Sequence, residues 1–88
     1  MNPTWLLEEI PVDSIDTWLN AFAVNLNPYS KTDLAQKRSM RIKAFIRPGD
    51  RLVHYSTPAE YWDQLAGQDG IIILRHCCII ESVILLEN

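Results

Sequence analysis

Two runs of β-branched residues near the C-terminus predict a β-hairpin. The runs are residues 70–74 and 79–86, and the short polar step 75–78 separates them. Such runs, bounded by turn residues, are typical of strands. Alternate residues of a strand face opposite sides of a sheet, and both sides of these runs are apolar. We therefore expect both faces of this hairpin to be covered.

Apolar residues at helical spacing predict a helix nearer the N-terminus. Asp13 or Ser14 can cap it, and residues 27–28, an Asn-Pro step, end it. The predicted apolar face consists of Ile15, Trp18, Leu19, Phe22 and Leu26. The stretch 4–10 before it is compatible with a strand and stops at Pro11, which favours an edge strand.

A second helix is predicted at residues 58–66. Thr57 can cap it, Pro58 suits its first position, and Glu60 can complete a capping box. Gly67 suits the left-handed position past its end. The side chains predicted on its buried side are Trp62, Leu65 and Ala66.

Residues 32–47 fit two structures. Thr32 could cap a helix, and its apolar face would hold Leu34, Ile42 and Phe45. Over residues 38–47, however, apolar residues alternate with basic ones, which is the pattern of a strand with one basic face. We predict a helical turn at 32–37 followed by a strand at 38–47.

These elements follow one another as β-α-β-β-α-β-β. Pro48 and Gly49 have turn chemistry, so the strand at 38–47 is predicted to pair with one at 51–56. Hairpins favour antiparallel pairing. We predict a single α+β domain (residues 1–88) with an antiparallel sheet of about five strands and two helices on one face. The uncovered face then favours a homodimer or higher oligomer.

Composition places the chain among ordinary globular domains. Hydrophobic residues make up 48% and charged residues 22% of it, which argues against disorder. Its apolar runs are much shorter than the roughly 20 residues needed to cross a bilayer. No signal peptide is predicted, and the adjacent Cys77 and Cys78 cannot form a relaxed disulfide. We expect reduced, buried cysteines in a cytoplasmic protein that does not bind membranes.

The charge is unevenly distributed. Seven of the eight basic residues lie in the segment 31–51, although the whole chain carries a net charge of −3. A basic strand face could bind nucleic-acid phosphates, and the residues in this alternative are Arg38, Arg41, Lys43, Arg47 and Arg51. The whole-chain pI of about 5.2 argues against a dedicated nucleic-acid binder. We favour the simpler interpretation, in which the basic residues solvate one face or meet acidic segments of the same chain or of a second copy.

Several polar and aromatic side chains could converge where the hairpins meet the second helix. This candidate binding pocket consists of Asp50, His54, Tyr55, Trp62 and Arg75. Arg75 interrupts an apolar strand, and a charge there needs a partner such as Asp50 or Glu60. An ion pair beside a core tryptophan is the alternative to a ligand site, and we favour it.

The chain shows no metal or catalytic signature. His76 and the two cysteines, even with His54, lack the paired spacing of structural zinc ligands. A cysteine nucleophile with a histidine base depends on geometry that the sequence does not give. We expect no cofactor, no metal and no catalytic residue.

A set of turn and packing residues runs from Pro48 to the end of the chain, namely Pro48, Gly49, Asp50, Tyr55, Ser56, Pro58, Trp62, Leu65, Ala66, Gly67, Gly70, Arg75, Ser82, Val83, Ile84 and Asn88. In these residues the chain resembles a group of small, uncharacterised bacterial proteins. Small proteins of this sort often travel on mobile gene cassettes. Where members of the group have an Asp-Gly or Gly-Gly turn after the arginine, this chain has residues 76–78. Most matching positions are turn and packing residues, so the resemblance implies a fold but no chemistry. The two-sided apolar hairpin and the absence of a catalytic set, rather than the resemblance, favour a function. We expect a non-enzymatic interaction module, a homodimer or higher oligomer that binds a protein partner or small ligand.

Overall fold

The computed structural model describes residues 2–26 and 33–87, and the side chains of residues 2–23 and 36–87. Four strands and three α-helices lie within these residues. They are β1 (Leu6–Ile10), α1 (Ile15–Leu26), α2 (Asp33–Phe45), β2 (Arg51–Ser56), α3 (Ala59–Asp63), β3 (Gln68–Arg75) and β4 (Cys78–Glu87). The predicted helix end at residues 27–28 and the predicted cap at Thr32 fall outside the described residues.

The strands form one antiparallel sheet in the order β1-β2-β3-β4. The predicted α+β class is therefore confirmed, with four described strands where about five were expected. β1 and β4 are the edge strands. None of the helices in the described part of the chain is long and apolar enough to span a membrane.

The two longer helices cover one face of the sheet. Ile15 and Leu19 of α1 and Ile42 of α2 are buried in the core on this face. The strand side chains that they meet are Ile10, Leu52, Ile71, Ile73, Val83 and Leu85. The molecule measures 37 × 31 × 17 Å, and the shortest dimension leaves room for one layer of helices on one sheet.

The predicted strand at residues 38–47 is wrong, because α2 occupies this segment up to Phe45. Ser39 and Ile42 are the buried side chains of the described part of the helix, three residues apart as a helix requires. Met40, which the strand pattern placed on the apolar side, is 70% exposed. The segment is rich in Lys, Arg, Gln, Met and Ala, and their helix propensity outweighs the apparent alternation.

Contacts with α1 fix α2 in place. Asp16 of α1 accepts hydrogen bonds from the Ser39 hydroxyl and from Lys43 Nζ, the latter at 2.7 Å. These contacts hold the pKa of Asp16 below its ordinary value, with the Lys43 hydrogen bond as the largest cause. The predicted hairpin between 38–47 and 51–56 is thus replaced by a helix-to-strand connection. α2, rather than the predicted helix at 58–66, is the second helix covering the sheet.

The turn that leads from α2 into β2 has the predicted chemistry. Gly49 has a φ of 88°, which is the conformation that glycine tolerates best. The Asp50 amide donates to the Arg47 carbonyl oxygen at 3.0 Å and closes the turn.

The helix predicted at 58–66 is short, and its predicted capping box does not form. α3 has Pro58 at its N-cap without a side-chain cap. The Thr57 hydroxyl instead accepts a hydrogen bond from the Gln68 amide at 3.0 Å. This bond joins the two ends of the segment that connects β2 to β3. The left-handed residue is Leu65, with φ of 60°, rather than Gly67. Gly67 is required for another reason, since a Cβ there would lie 2.1 Å from Cδ2 of the Trp62 indole.

The C-terminal hairpin is confirmed. β3 and β4 pair from Gln68↔Glu87 to Arg75↔Cys78. His76 begins the two-residue turn with φ of 57°. This positive φ occurs at the position that glycine occupies in a type II′ turn.

Candidate functional site

The five residues of the predicted pocket do not converge. Asp50 and Arg75 lie at one end of the sheet, beside the start of β2 and the end of β3. Trp62 lies at the other end, where its Nε1 donates to the Thr57 carbonyl oxygen at 3.2 Å. His54 and Tyr55 are neighbours on β2, so their side chains point to opposite faces. The structure therefore separates these residues into four places, and the pocket drawn from the sequence is corrected accordingly.

Asp50 and Arg75 form the predicted ion pair. Arg75 Nε and Nη2 donate to the two Asp50 carboxylate oxygens at 3.0 and 2.9 Å, and Nη2 also donates to the Phe45 carbonyl oxygen at 3.3 Å. The Arg47 amide donates to Asp50 Oδ2 at 2.8 Å. The Arg75 hydrogen bond is the main reason that the pKa of Asp50 lies below its ordinary value. This arrangement clamps the end of α2 to the sheet and leaves no carboxylate oxygen open to a ligand.

His54 lies in a different cluster, on the helix-covered face. Its Nε2 donates to Asp69 Oδ1 at 2.6 Å, and its Nδ1 lies 3.8 Å from Glu8 Oε1. The Trp18 Nε1 donates to the same Glu8 oxygen at 3.0 Å. The Trp18 and Phe22 rings both meet the imidazole edge-on, with centroids 4.8 and 5.9 Å away. His54 could be picked out as a candidate from the sequence, but Glu8 and Asp69 could not. These three residues come together only through the pairing register of β1, β2 and β3.

A cavity of about 210 Å³ opens beside this cluster, lined by Glu8, Trp18, Ala21, Phe22 and His54. An imidazole whose one nitrogen is held by a carboxylate can accept a proton at the other. The lining residues offer no hydroxyl or thiol to act as nucleophile. Cys78 pairs with Arg75 at the far end of β3, six strand residues from Asp69 and so about 20 Å away.

Cys77 and Cys78 are exposed, which corrects the expectation that they are buried as small apolar residues. Their sulfur atoms are 3.7 Å apart in the β3–β4 turn. The hydrogen bond with Cys77 is the largest cause of the raised pKa of Cys78. No group of three or more His, Cys, Asp or Glu side chains within the described ranges is arranged to hold a metal ion.

The basic residues predicted for nucleic-acid binding do not share one surface. Lys43 pairs with Asp16, Arg51 with Glu9 and Arg41 with Glu81. Arg47 is exposed in the loop before β2, and Arg38 is half-buried on α2. The five side chains thus spread over a helix, a loop and a strand, and three of them are already paired with carboxylates.

Two of these residues nevertheless line a groove that the sequence reasoning missed. The groove has a volume of about 320 Å³, and its walls are Lys37, Arg38 and Arg41 of α2 and Ser82, Val83 and Ile84 of β4. We call it the edge groove. Lys37 and Arg41 are four residues apart, so the signal was visible only once the segment was treated as a helix.

The second face of the sheet, opposite α1 and α2, carries an apolar surface. At its centre Val53, Tyr55 and Ile72 are buried against one another, with Leu74 packed on them. Around them lie exposed apolar side chains of the two edge strands, which are Leu6 (37%), Ile79 (46%) and Ile84 (39%). They pair with Tyr55, Leu74 and Gly70 and so lie on the same face. The seven residues Val53, Tyr55, Ile72, Leu74, Leu6, Ile79 and Ile84 are called the open face below. Burial is the main reason that the pKa of Tyr55 is raised.

Comparison with known proteins adds no family. No family model, curated protein or solved structure matches the chain.

Proposed function

We propose that this chain is a non-enzymatic interaction module that acts as a homo-oligomer, in the simplest case a dimer joined through the open face. The supporting observation is that one sheet face is closed by helices while the other presents a ring of exposed apolar side chains around a buried centre. Contiguous apolar surface of this kind marks interaction sites.

The charges on the open face favour a second copy as the occupant. In a two-fold symmetric contact the same patch meets itself, so any net charge on it would be repelled. The charged side chains that β1 and β2 add to this face are Glu9 and Arg51, which already form an ion pair. Arg51 is the main cause of the lowered pKa of Glu9. This pair therefore adds no net charge to the patch, and the remaining charge that β4 brings near it is that of Glu87, which acts on Tyr55 at the end of the strand.

The exposed thiols favour a location for this module. Cys77 and Cys78 lie uncovered in the β3–β4 turn, and free thiols of this kind persist in a reducing compartment. We therefore place the module in the cytoplasm.

Nucleic-acid binding through the basic segment 31–51 has weaker support. Lys43 and Arg51 would have to leave Asp16 and Glu9 before they could neutralise phosphates. The released carboxylates would then face the same polyanion and oppose its binding.

Sedimentation equilibrium over a range of protein concentrations tests the dimer. We expect the wild-type chain to dimerise and Ile79→Glu to remain a folded monomer, because it places an unpaired charge within the contact. Leu65→Glu is the matched control, since Leu65 is 76% exposed and lies outside the open face. A wild-type chain that stays monomeric at every concentration would refute the proposal, as would equal association of the two variants.

A further inference from the structure

β4 is an edge strand, and its outer main chain is unpaired with any described strand. β4 pairs with β3 on one side only. In an antiparallel strand the N–H and C=O groups of alternate residues point to the same side. The Ser82 amide donates to the neighbouring Glu81 Oε1 at 3.0 Å, so it points away from β3. The Ile84 amide, two residues on, points the same way.

The Glu81 carboxylate shows which chemistry this edge accepts. Its Oε1 takes the hydrogen bond from the Ser82 amide and lies 3.6 Å from Arg41 Nη2. One carboxylate oxygen thus meets a main-chain N–H of β4 and a guanidinium of α2 together. The Glu81 side chain thus occupies both groups within the chain. A carbonyl oxygen of an added strand can replace it at the Ser82 amide, and a carboxylate of that strand can replace it at Arg41.

The edge groove has more positive charge than its own carboxylate neutralises. Arg38 is half-buried and makes no hydrogen bond or ion pair with the described residues. Burial lowers the pKa of its guanidinium, and an anion beside it would offset that cost. Lys37, also exposed on the groove wall, has no carboxylate partner in the described part of the chain.

We propose that the edge groove binds an extended acidic segment of a partner protein, which adds to the sheet as a fifth strand beside β4. Its main chain hydrogen-bonds to the outward groups of Ser82 and Ile84, and its carboxylates meet Lys37, Arg38 and Arg41. This is recognition by strand addition, in which main-chain bonds give affinity and alternate side chains give specificity.

The spacing of the groove walls predicts the sequence pattern of the segment. Lys37 and Arg41 lie four residues apart on α2, a rise of about 6 Å. Residues i and i+2 of a strand lie on the same side, about 6.6 Å apart. Acidic residues at alternate positions therefore match the helix wall. The residues between them lie on the side of Ile84, which is 39% exposed, so they are expected to be apolar.

A second copy is the less favoured occupant of this edge. Pairing of β4 with β4 of another copy around a two-fold axis would bring the two sets of Lys37, Arg38 and Arg41 together, and like charges oppose that contact. The phosphates of a nucleic acid would pair with Lys37, Arg38 and Arg41, but they would not form the main-chain hydrogen bonds that the outward N–H groups of β4 offer. This proposal shares Ile84 with the open face but needs no second copy there, and the folded Ile79→Glu variant is expected to bind the segment as the wild type does.

Fluorescence anisotropy with a labelled peptide tests the proposal. The probe has about six residues, the usual length of a strand, with glutamate at alternate positions and valine or threonine between them. We expect it to bind more tightly than an isomer of the same composition whose glutamates are adjacent, and a lysine version should not bind. Oligothymidine of similar length serves as the nucleic-acid probe.

Three substitutions separate the main-chain contacts from the charge. Ser82→Pro removes an outward N–H without breaking the β3 ladder, and about fivefold weaker peptide binding is expected. Arg38→Gln should weaken it by about tenfold or more, because a charge-assisted hydrogen bond is lost. Glu81→Gln should tighten it several-fold by removing the internal competitor, whereas Glu60→Gln on α3, with the same change in charge, should not.

Equal affinity for the two glutamate isomers, or no effect of Ser82→Pro on a variant shown to be folded, would overturn strand addition. Tighter binding of oligothymidine than of the alternating peptide would assign the groove to nucleic acid instead. Association of the protein that Ser82→Pro abolishes and Ile79→Glu leaves intact would make a second copy the occupant and also overturn the proposal.

Discussion

The two faces of the sheet are both apolar, but they are closed in different ways. Ile71 and Ile73 of β3 are fully buried in the core that includes α1 and α2. Ile72, between them, is 1% exposed on the opposite face, yet the buried side chains around it are Val53 and Tyr55 of the neighbouring strand. A helix layer completes one face, whereas strand side chains alone close the centre of the other.

This difference shows that burial at the centre of a face does not mean that the face is complete. The exposed side chains of the open face, Leu6, Ile79 and Ile84, are 37–46% exposed. An apolar side chain in that state gains free energy when another surface covers it, at about 25 cal/mol per Å². The closed core of the helix-covered face stabilises the fold, and the open face is the one that we propose for association.

The largest expected effect comes from the helix-covered face. Ile71→Ala should reduce the free energy of unfolding by about 2–5 kcal/mol, because it leaves a cavity in a closed core. Ile84→Ala, on the exposed part of the open face, should cost about 1 kcal/mol or less in dilute solution. Urea unfolding of both variants measures the difference, and equal losses would contradict the distinction between the faces.

The next largest effect on stability is expected at Gly70, where the Tyr55 ring packs over the β3 main chain at the centre of the open face. A Cβ at position 70 would lie 2.5 Å from the Val83 carbonyl oxygen and 2.9 Å from Cε1 of the Tyr55 ring. Gly70→Ala should therefore cost about 1–3 kcal/mol through overpacking. In a Tyr55→Ala background the same substitution should cost less. A double-mutant cycle that finds no coupling would show that the Tyr55 ring does not lie over Gly70.

A smaller loss of stability is expected when the Asp50–Arg75 ion pair, which holds the end of α2 on the sheet, is broken. Arg75→Met should lower the urea midpoint by less than Ile71→Ala does, because it leaves the Asp50 carboxylate without its main partner. Lys37→Met, at an exposed position on α2, is the control.

The pH dependence of that loss has a definite sign. Arg75 lowers the folded-state pKa of Asp50, so its contribution is complete above the unfolded pKa of about 3.9. It disappears as pH falls through the lowered folded value. The gap between wild type and Arg75→Met should therefore narrow in acid, and a gap that widens would contradict the assignment.

The smallest effect concerns Tyr55 on the open face. Burial raises its folded-state pKa, so its contribution to stability is complete below the unfolded pKa of about 10. That contribution is lost as pH rises through the folded value. Titration of tyrosinate absorbance should show a late-ionising group that Tyr55→Phe removes. The group should ionise later still at high protein concentration if a second copy covers the open face.

The parts of the fold that the sequence predicted are those with strong local signals. The β-branched runs gave the C-terminal hairpin, and Ile15, Trp18 and Leu19 gave α1 with its buried side. Arg75, a charge within an apolar strand, needs a carboxylate partner, and this requirement predicted its ion pair with Asp50. In each case a local sequence pattern, or the need of a charged side chain for a partner, was compatible with one structure.

The remaining features depend on contacts between distant segments. Residues 38–47 alternate like a strand, but Asp16, twenty-three residues before Ser39, anchors them as a helix. Glu8, His54 and Asp69 meet through strand register, which a single sequence does not specify. Gly67 is explained by the Trp62 ring above it rather than by its own backbone. The edge groove was hidden because it exists only when α2 is a helix.

Filtered NOE spectroscopy on a mixture of isotope-labelled and unlabelled chains tests the central claim most directly. If a second copy covers the open face, intermolecular NOEs should appear at the methyl groups of Leu6, Ile79 and Ile84 and be absent from Ile15 and Ile42 beneath the helices. Their absence at concentrations where the chain is associated, or their appearance only at other surfaces, would contradict the account.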